Sequence, residues 1–223
     1  MLATACIIYL SADRIAVWRC KSEISQSRLG GRDGSNACTL IAIILGRMFC
    51  RKESELFIPL KGSSDPLKTS WFHALTNAII DGNTIYDKHV PCKSPCFLDV
   101  ESACSLEQSE LKVKRVCEPL PVWFNSDFDS APLATIEYQL LLFSLNEGRK
   151  CTILTSSGKS SAILSEGTGK LLVLDTHDDI LSNSGAQFIV GNVQQISDFL
   201  KKEACKVVEK LRYGVLTMVE FLP

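Results

Sequence analysis

One apolar segment constrains the fold of this chain more than any other: CTLIAIILGRMFC, residues 38–50. A helix that is apolar almost all round must be covered on every side, so this segment predicts the central buried helix of a globular domain. The 223 residues provide enough chain for one sizeable core. Hydrophobic residues make up 46% of them and charged residues 22%, which is ordinary for a globular protein.

In the rest of the chain the spacing of hydrophobic residues is that of a helix in some segments and that of a strand in others. Further helices are predicted at 65–81, 135–146 and 193–211. Asp65 and Pro66 suit the start of the first of these, and Gly82 suits its end. Strands are predicted at 5–10, 14–20, 150–157, 161–166, 170–177, 186–191 and 213–223.

The remaining segments complete an α+β arrangement. Residues 22–36 are polar and contain glycines, which predicts a loop, and residues 86–122 are less regular. No positive charge or small-residue cleavage site accompanies the first apolar run, which favours a strand over a signal peptide. One N-terminal hairpin, then helices, then a strand-rich region predict a single α+β domain spanning 1–223.

Charge and composition exclude several classes of partner. The formal net charge is -1, with 24 basic and 25 acidic residues and no basic block, which argues against nucleic acid. No apolar run reaches the ~18 residues of a membrane-spanning helix, so no membrane association is expected. Many of the ten cysteines lie in or beside apolar stretches. They are predicted to be free thiols in a reducing intracellular compartment, the cytoplasm or the nucleus.

Of the three histidines, His177 has the most informative surroundings. It stands where the apolar run KLLVLDTH gives way to a polar loop, and strand ends favour functional residues. Asp175 lies two residues earlier, so in a strand both side chains point to the same face. A carboxylate there would fix the imidazole tautomer and favour the imidazolium. The alternative is a solvated acidic turn, because Asp178 and Asp179 follow at once.

Cys38 has the setting of an activated nucleophile. It begins the apolar helix, where the positive end of the helix dipole stabilises a thiolate. The preceding loop GGRDGSN would leave backbone N–H groups facing a substrate carbonyl. The alternative is a buried structural cysteine. An early cysteine on a central helix, with a histidine far downstream on a sheet, is the papain-like order.

Three stretches carry a resemblance to a known family: GSNACTLIAIILG, SWFHALTNAIIDGNTIYD and LLVLDTHDD. Over roughly 26–191 the chain resembles the herpesvirus large-tegument type of deubiquitinase. The resemblance implies a papain-like cysteine peptidase fold, in which a buried helix carrying Cys38 packs on an antiparallel sheet carrying the Asp-x-His unit. It also implies a triad of Cys38, His177 and Asp175, with Gln26 lining the oxyanion hole.

The same resemblance implies hydrolysis of the peptide or isopeptide bond after the C-terminal glycine of ubiquitin or a ubiquitin-like modifier. The expected partners are ubiquitin, polyubiquitin or such a modifier. Residues 162–166 and 182–186 are expected to flank a substrate groove. Two alternatives stay open: a papain-fold module that binds ubiquitin without cutting it, and another papain-fold acyl enzyme, such as a general protease or a transglutaminase.

Two further patterns are weak. Gly158-Lys159-Ser160 lacks the upstream glycine of a phosphate loop and predicts a turn between strands. His89, Cys92 and Cys96 provide one cysteine hook with a wide C-x3-C gap, whereas zinc sites use short hooks in pairs. No metal and no cofactor are therefore expected.

Overall fold

A computed structural model of the chain describes residues 6–10, 15–53, 56–58, 69–90, 96–124, 132–178, 183–207 and 213–223. Within these ranges nine strands form one antiparallel sheet. They are β1 (Cys6–Leu10), β2 (Ala16–Lys21), β3 (Val113–Val116), β4 (Leu120–Trp123), β5 (Lys150–Ser156), β6 (Lys159–Ser165), β7 (Lys170–Asp175), β8 (Ser184–Asn192) and β9 (Tyr213–Phe221). The order across the sheet is β1-β2-β8-β7-β6-β5-β9-β3, and β4 also pairs with β9.

Helices cover both faces of the sheet. They are α1 (Cys38–Cys50), α2 (Thr69–His89), α3 (Val100–Leu106), α4 (Gln108–Leu111), α5 (Ile136–Leu145) and α6 (Val193–Val207). One core lies between the sheet and α1, α2 and α3, and a second core lies between the opposite face and α5 and α6. None of the described helices is long and apolar enough to cross a membrane.

The apolar segment 38–50 is the central helix, as predicted. Ten of the thirteen residues of α1 are buried, among them Leu40, Ile41, Ile43 and Leu45 with no exposed surface. Each fully buried aliphatic side chain of this kind contributes on the order of 1.5–3 kcal/mol. α1 packs on β5 and β6 on one side and on α2 on the other, which places its N-terminus over the middle of the sheet.

The predicted end of the second helix at Gly82 is wrong, because α2 continues to His89. A Cβ atom on Gly82 would lie 2.5 Å from Ile41 Cγ1 and 3.1 Å from the backbone nitrogen of Ile41. Glycine is present here so that α1 and α2 can approach closely, and it does not end the helix. The predicted start, with Asp65 and Pro66, lies outside the described residues.

Most other predicted elements are confirmed. β1 and β2 form the N-terminal hairpin, and Thr135 caps α5 by accepting a hydrogen bond from Tyr138 N at 3.3 Å. Ser157 and Gly158, at φ 54° and 72°, form the two-residue turn between β5 and β6. The irregular region contains α3, α4, β3 and β4. Asp99 caps α3 by accepting from Ser102 N at 2.7 Å.

The expected flanks of a substrate groove are not free edges. β6 is bonded on both sides, to β5 and β7, which places 162–165 in the interior of the sheet. Residues 184–186 belong to β8, which lies between β2 and β7. Neither segment therefore offers a free sheet edge to which an extended peptide could be added, and residue 182 lies outside the described residues.

Candidate active site

Cys38 is the first residue of α1 and is buried, with 3% of its surface exposed. Ala37 occupies the N-cap and makes no side-chain cap, while its backbone N–H donates to Ser35 Oγ at 3.1 Å. The first N–H groups of any helix have no intrahelical partner, and they form the positive end of its dipole. The thiol of Cys38 and its backbone N–H therefore share a site that favours negative charge.

His177 and Asp175 meet just beyond the end of β7. The strand stops at Asp175, so His177 lies in the following loop and not in the strand as predicted. Asp175 Oδ1 accepts from the His177 backbone N–H at 3.1 Å and lies 2.6 Å from His177 Nδ1. The other ring nitrogen, Nε2, is then the one available to the thiol of Cys38, whose ionisation the charged imidazole favours. The imidazole of His177 therefore lies between the carboxylate of Asp175 and the thiol of Cys38, and these three side chains form one line.

Charge in this line favours an ion pair between sulfur and imidazole. Burial on its own would raise the pKa of Cys38, but the hydrogen bond and charge of His177, helped by Ser160, lower it below the usual value. Burial on its own would lower the pKa of His177, but Asp175 and Cys38 raise it to about 9. Burial opposes ionisation of Asp175, yet the adjoining imidazolium lowers its pKa. All three directions favour thiolate, imidazolium and carboxylate at neutral pH.

Gln26 is buried beside the loop that carries His177. Its backbone N–H donates to Thr176 O at 2.9 Å, and its side-chain Oε1 accepts from Thr176 Oγ1 at 2.9 Å. Its Nε2 donates at 3.2 Å to the backbone oxygen of Ser35, which lies three residues before Cys38 in the chain. A carbonyl oxygen can only accept, so this contact sets which way the amide of Gln26 points. An amide nitrogen has two hydrogens, and Ser35 takes one of them.

Asn83 ties this arrangement to α2. It is 4% exposed, its Nδ2 donates to Gln26 O at 3.0 Å, and its Oδ1 accepts from Ser35 Oγ at 2.5 Å. The sequence-based interpretation missed Asn83. It follows Ile79 by four residues and therefore continues the apolar stripe of α2, which was predicted to end before it. A buried amide on such a stripe requires partners.

Thr176 and Ser160 were also missed as parts of the site. Each is 2% exposed. Thr176 binds the side chain of Gln26, and Ser160 Oγ lies 2.9 Å from Oγ1 of Thr39, the residue after Cys38. Threonine and serine are common in strands and turns, so their types and spacing carried no indication of this role. Ser160 belongs to Gly158-Lys159-Ser160, a pattern that predicts only a turn between strands.

Asp178, the acidic residue that follows His177, forms an ion pair with an arginine. Asp178 Oδ2 accepts from Arg28 Nε at 3.2 Å, which links the loop after β7 to the loop that carries Gln26. The carboxylate that contacts the imidazole is Asp175. Asp179 lies outside the described residues.

The other residues considered for chemistry lie apart from this line. His73 is an exposed residue of α2. His89 Nε2 lies 2.7 Å from Glu107 Oε1, Cys96 is exposed, and Cys92 lies outside the described residues. Within the described ranges no cluster of three or more histidine, cysteine, aspartate or glutamate side chains is arranged to hold a metal ion. Free thiols, as predicted, are Cys38, Cys50, Cys96, Cys104, Cys117 and Cys151.

A cavity of about 110 Å³ lies on the sheet face opposite α1. Asp175 and Gln187 are among the residues that line it, together with Phe199 and Leu200 of α6. Gln187 Nε2 lies 3.5 Å from Asp175 Oδ2. Cys38 does not line this cavity, so the cavity is behind the carboxylate and not on the side of the thiol.

Comparison with solved structures agrees with this architecture. The ubiquitin-specific protease encoded by a murine cytomegalovirus tegument protein, solved in complex with a ubiquitin-based suicide substrate, is similar with a TM-score of 0.56 and 15% identity. The match covers 91% of this chain and 85% of that one. The chain has a papain-like cysteine peptidase fold.

A more distant likeness is to the Pseudomonas avirulence protein AvrPphB, with a TM-score of 0.45 and 11% identity over 82% of this chain and 91% of that one. A likeness at that score adds nothing to the assignment. No family model matches the chain, and no curated protein sequence matches it.

Proposed function

We propose that this chain is a thiol-dependent deubiquitinase. It would hydrolyse the peptide or isopeptide bond after the C-terminal glycine of ubiquitin or a ubiquitin-like modifier, with residues 1–223 acting as one catalytic domain. The observation that supports this most is the 2.6 Å contact between Asp175 and His177, whose imidazole raises the ionisation of the Cys38 thiol at a helix N-terminus. The fold shared with a ubiquitin-specific protease supports the choice of substrate.

In the proposed reaction the Cys38 thiolate attacks the carbonyl carbon of the C-terminal glycine. A sulfur–carbon bond forms, and the carbonyl electrons move to oxygen. His177 then gives its proton to the leaving amine as the carbon–nitrogen bond breaks, which leaves a thioester. Water, deprotonated by His177, attacks the thioester, and the departing thiolate re-forms its pair with the imidazolium.

The supporting residues have separate roles in this proposal. Asp175 holds the Nδ1 proton of His177 and stabilises the imidazolium. The oxyanion would be held by the backbone N–H of Cys38 and by the second amide hydrogen of Gln26. Removing one such donor costs about 10²–10³ in turnover in comparable sites.

The test is a reaction with ubiquitin that carries a C-terminal electrophile, followed by intact-mass measurement. Wild type is expected to form a covalent adduct, and Cys38→Ala is expected to form none. Cys104→Ala is the matched control, because Cys104 is also buried and its burial raises its pKa to about 12. This control is expected to react like wild type.

Treatment with iodoacetamide at pH 6 separates the possible failures. Rapid alkylation of Cys38 without a ubiquitin adduct would overturn ubiquitin as the substrate, and the same reaction would then be run with electrophiles of other ubiquitin-like modifiers. A folded protein whose Cys38 stays unmodified at pH 6 would refute the proposed nucleophile. It would leave a module that binds without cutting.

A further inference from the structure

Asn83 is a buried residue of α2, with 4% of its surface exposed, and its amide joins two points of the loop that precedes Cys38. Nδ2 donates to the backbone oxygen of Gln26 at 3.0 Å, and Oδ1 accepts from Ser35 Oγ at 2.5 Å. A carbonyl oxygen can only accept, so the nitrogen must face Gln26, and this fixes the orientation of the amide. Both ends of this buried side chain therefore have a partner in the loop.

These contacts close a hydrogen-bonded ring of Gln26, Ser35 and Asn83. Gln26 Nε2 donates to the backbone oxygen of Ser35 at 3.2 Å, so each of the three residues bonds the other two. On one side the ring continues to Thr176, whose backbone oxygen and hydroxyl both bond Gln26. On the other side the N–H of Ala37 donates to Ser35 Oγ at 3.1 Å. The ring thus joins the loop after β7 to the residue that precedes α1.

The segment between Gln26 and Ser35 constrains its own ends weakly. A backbone hydrogen bond from Gly34 N to Ser27 O, at 3.1 Å, spans it. It also contains three glycines in the left-handed region, at φ 76°, 79° and 97°, where an added Cβ atom would meet open space. Glycine has more backbone freedom than any other residue, so this segment by itself leaves the orientation of Gln26 relative to Ser35 open. Asn83 removes that freedom, because it bonds both residues from a helix.

The separation of these two residues matters for the proposed reaction. The oxyanion donors there are the second amide hydrogen of Gln26 and the backbone N–H of Cys38, which lies three residues after Ser35. Such donors stabilise the oxyanion only when they point to one position in space. A misplacement of about 1 Å can cost on the order of 100-fold in rate. Asn83 bonds the segments that carry both donors.

We propose that Asn83 is a positioning residue of the oxyanion hole. It closes the ring with Gln26 and Ser35, and so holds the amide of Gln26 at the distance from the Cys38 N–H that the oxyanion requires. The inference deepens the proposed function and rests on it, because it concerns the same reaction. Asn83 acts on the attack at a carbonyl carbon, whereas ionisation of the thiol depends on His177.

Asp87, one turn further along α2, provides a matched control. Its two carboxylate oxygens accept from Arg32 Nη1 at 2.6 Å and from Arg32 Nη2 at 3.0 Å, so it bonds the same loop to the same helix. Half of the Asp87 side chain is exposed, at 51%, and an exposed ion pair contributes little to stability. Asp87→Asn therefore weakens the attachment of the loop and leaves the ring intact.

The test combines two measurements on each variant. The first is steady-state kinetics with a fluorogenic C-terminal amide of ubiquitin, and the second is the rate of Cys38 alkylation by iodoacetamide at pH 6. Alkylation displaces iodide from a saturated carbon and forms no oxyanion, so it reports on the thiolate alone. Asn83→Ala is expected to lower kcat about 10- to 100-fold with little change in KM, and to alkylate at the wild-type rate. Asp87→Asn is expected to match wild type in kcat and in alkylation.

A double variant separates positioning from ordinary packing. Gln26→Ala has already removed the donor that Asn83 positions, so adding Asn83→Ala to it is expected to lower kcat by no more than about threefold. Independent effects would multiply instead. A double variant that loses the product of the two single losses would overturn the inference.

Other results would also overturn it. These are a wild-type kcat in Asn83→Ala, alkylation that slows as much as kcat falls, or an equal loss of kcat in Asp87→Asn. If Asn83→Ala does not fold, Ser35→Ala decides, because it opens the ring from the loop side. It is expected to lower kcat with unchanged alkylation, and a wild-type kcat in that variant overturns the inference.

Failure of this inference differs from failure of the proposed function. If the wild-type protein cleaves neither ubiquitin nor a ubiquitin-like modifier, the proposed function is refuted and the inference falls with it. If the wild-type protein cleaves its substrate and Asn83→Ala has the same kcat, the role of Asn83 is overturned and the proposed function stands.

Discussion

Replacing Asp175 with asparagine tests how far a single carboxylate controls the charge state of the site. Asp175 Oδ1 lies 2.6 Å from His177 Nδ1, and the imidazole is largely buried, with 12% of its side chain exposed. Asparagine has nearly the same shape but carries no charge. The change therefore removes the attraction that holds the proton on His177 and leaves the burial that opposes it.

The size of the effect follows from the pKa of His177. Burial alone would lower this pKa, but Asp175, with Cys38, raises it from 6.5 to about 9. That rise corresponds to about 3 kcal/mol, at ~1.4 kcal/mol per pH unit. Without the carboxylate the pKa of His177 is expected to fall below 6.5. At pH 7.5 the ion pair is then lost, and kcat/KM is expected to fall at least about 100-fold.

The assay is kcat/KM for a fluorogenic C-terminal amide of ubiquitin, measured from pH 5 to pH 10. The wild-type profile is expected to lose activity on the basic side near pH 9, as His177 gives up its proton. In Asp175→Asn this limb is expected to move to more acidic pH. Asp178→Asn is the matched control, because Asp178 has 22% of its side chain exposed against 23% for Asp175 and pairs with Arg28. An Asp175→Asn enzyme with the wild-type basic limb, or an equal loss in Asp178→Asn, would refute the reasoning.

Four further outcomes are expected. Cys38→Ala should abolish cleavage with an unchanged circular dichroism spectrum, and any residual turnover would exclude this nucleophile. Gln26→Ala should lower kcat by about 10²–10³ with little change in KM, and an unaltered kcat in steady-state kinetics would remove its oxyanion role. Gly82→Ala should lower the free energy of unfolding in urea by about 1–3 kcal/mol, because the added methyl meets α1. The exposed control Asp81→Ala should leave this free energy unchanged. Similar urea midpoints for Gly82→Ala and Asp81→Ala would contradict the packing argument. In the folded protein the pKa of His177 is raised from 6.5 to about 9, so its contribution to stability should be complete below pH 6.5 and lost as the pH rises through 9. The urea midpoints of wild type and Asp175→Asn should therefore converge as the pH is raised.

The sequence predicts best where local pattern and burial agree. The central helix begins and ends where predicted, because the sequence changes sharply from a polar loop before Cys38 to an apolar run after it. The spacing of Asp175 and His177 predicts their contact, although the strand ends at Asp175 and the contact forms in the loop that follows. A short sequence separation ensured their proximity in either conformation.

What the sequence did not predict depends on partners distant along the chain. Gly82 reads as a helix end by itself, and only the approach of α1 explains it as a packing position. Asn83 and Ser160 act through contacts with residues 57 and 121 positions away, respectively, and no local pattern marks such contacts. The strand order has the same origin, because β2 pairs with β8 across most of the chain.

That strand order also has a consequence for synthesis on the ribosome. β5 pairs with β9 at 213–221, and β2 pairs with β8 at 184–192, so the sheet cannot be completed until residue 221 has been made. Cys38 emerges early, but the loop with His177 is anchored only after β7 and β8 have paired. The slow, non-local pairings of such a sheet come late in folding. A nascent chain therefore carries an ordinary thiol at position 38, and the proposed ion pair with His177 forms only after β7 and β8 have been made.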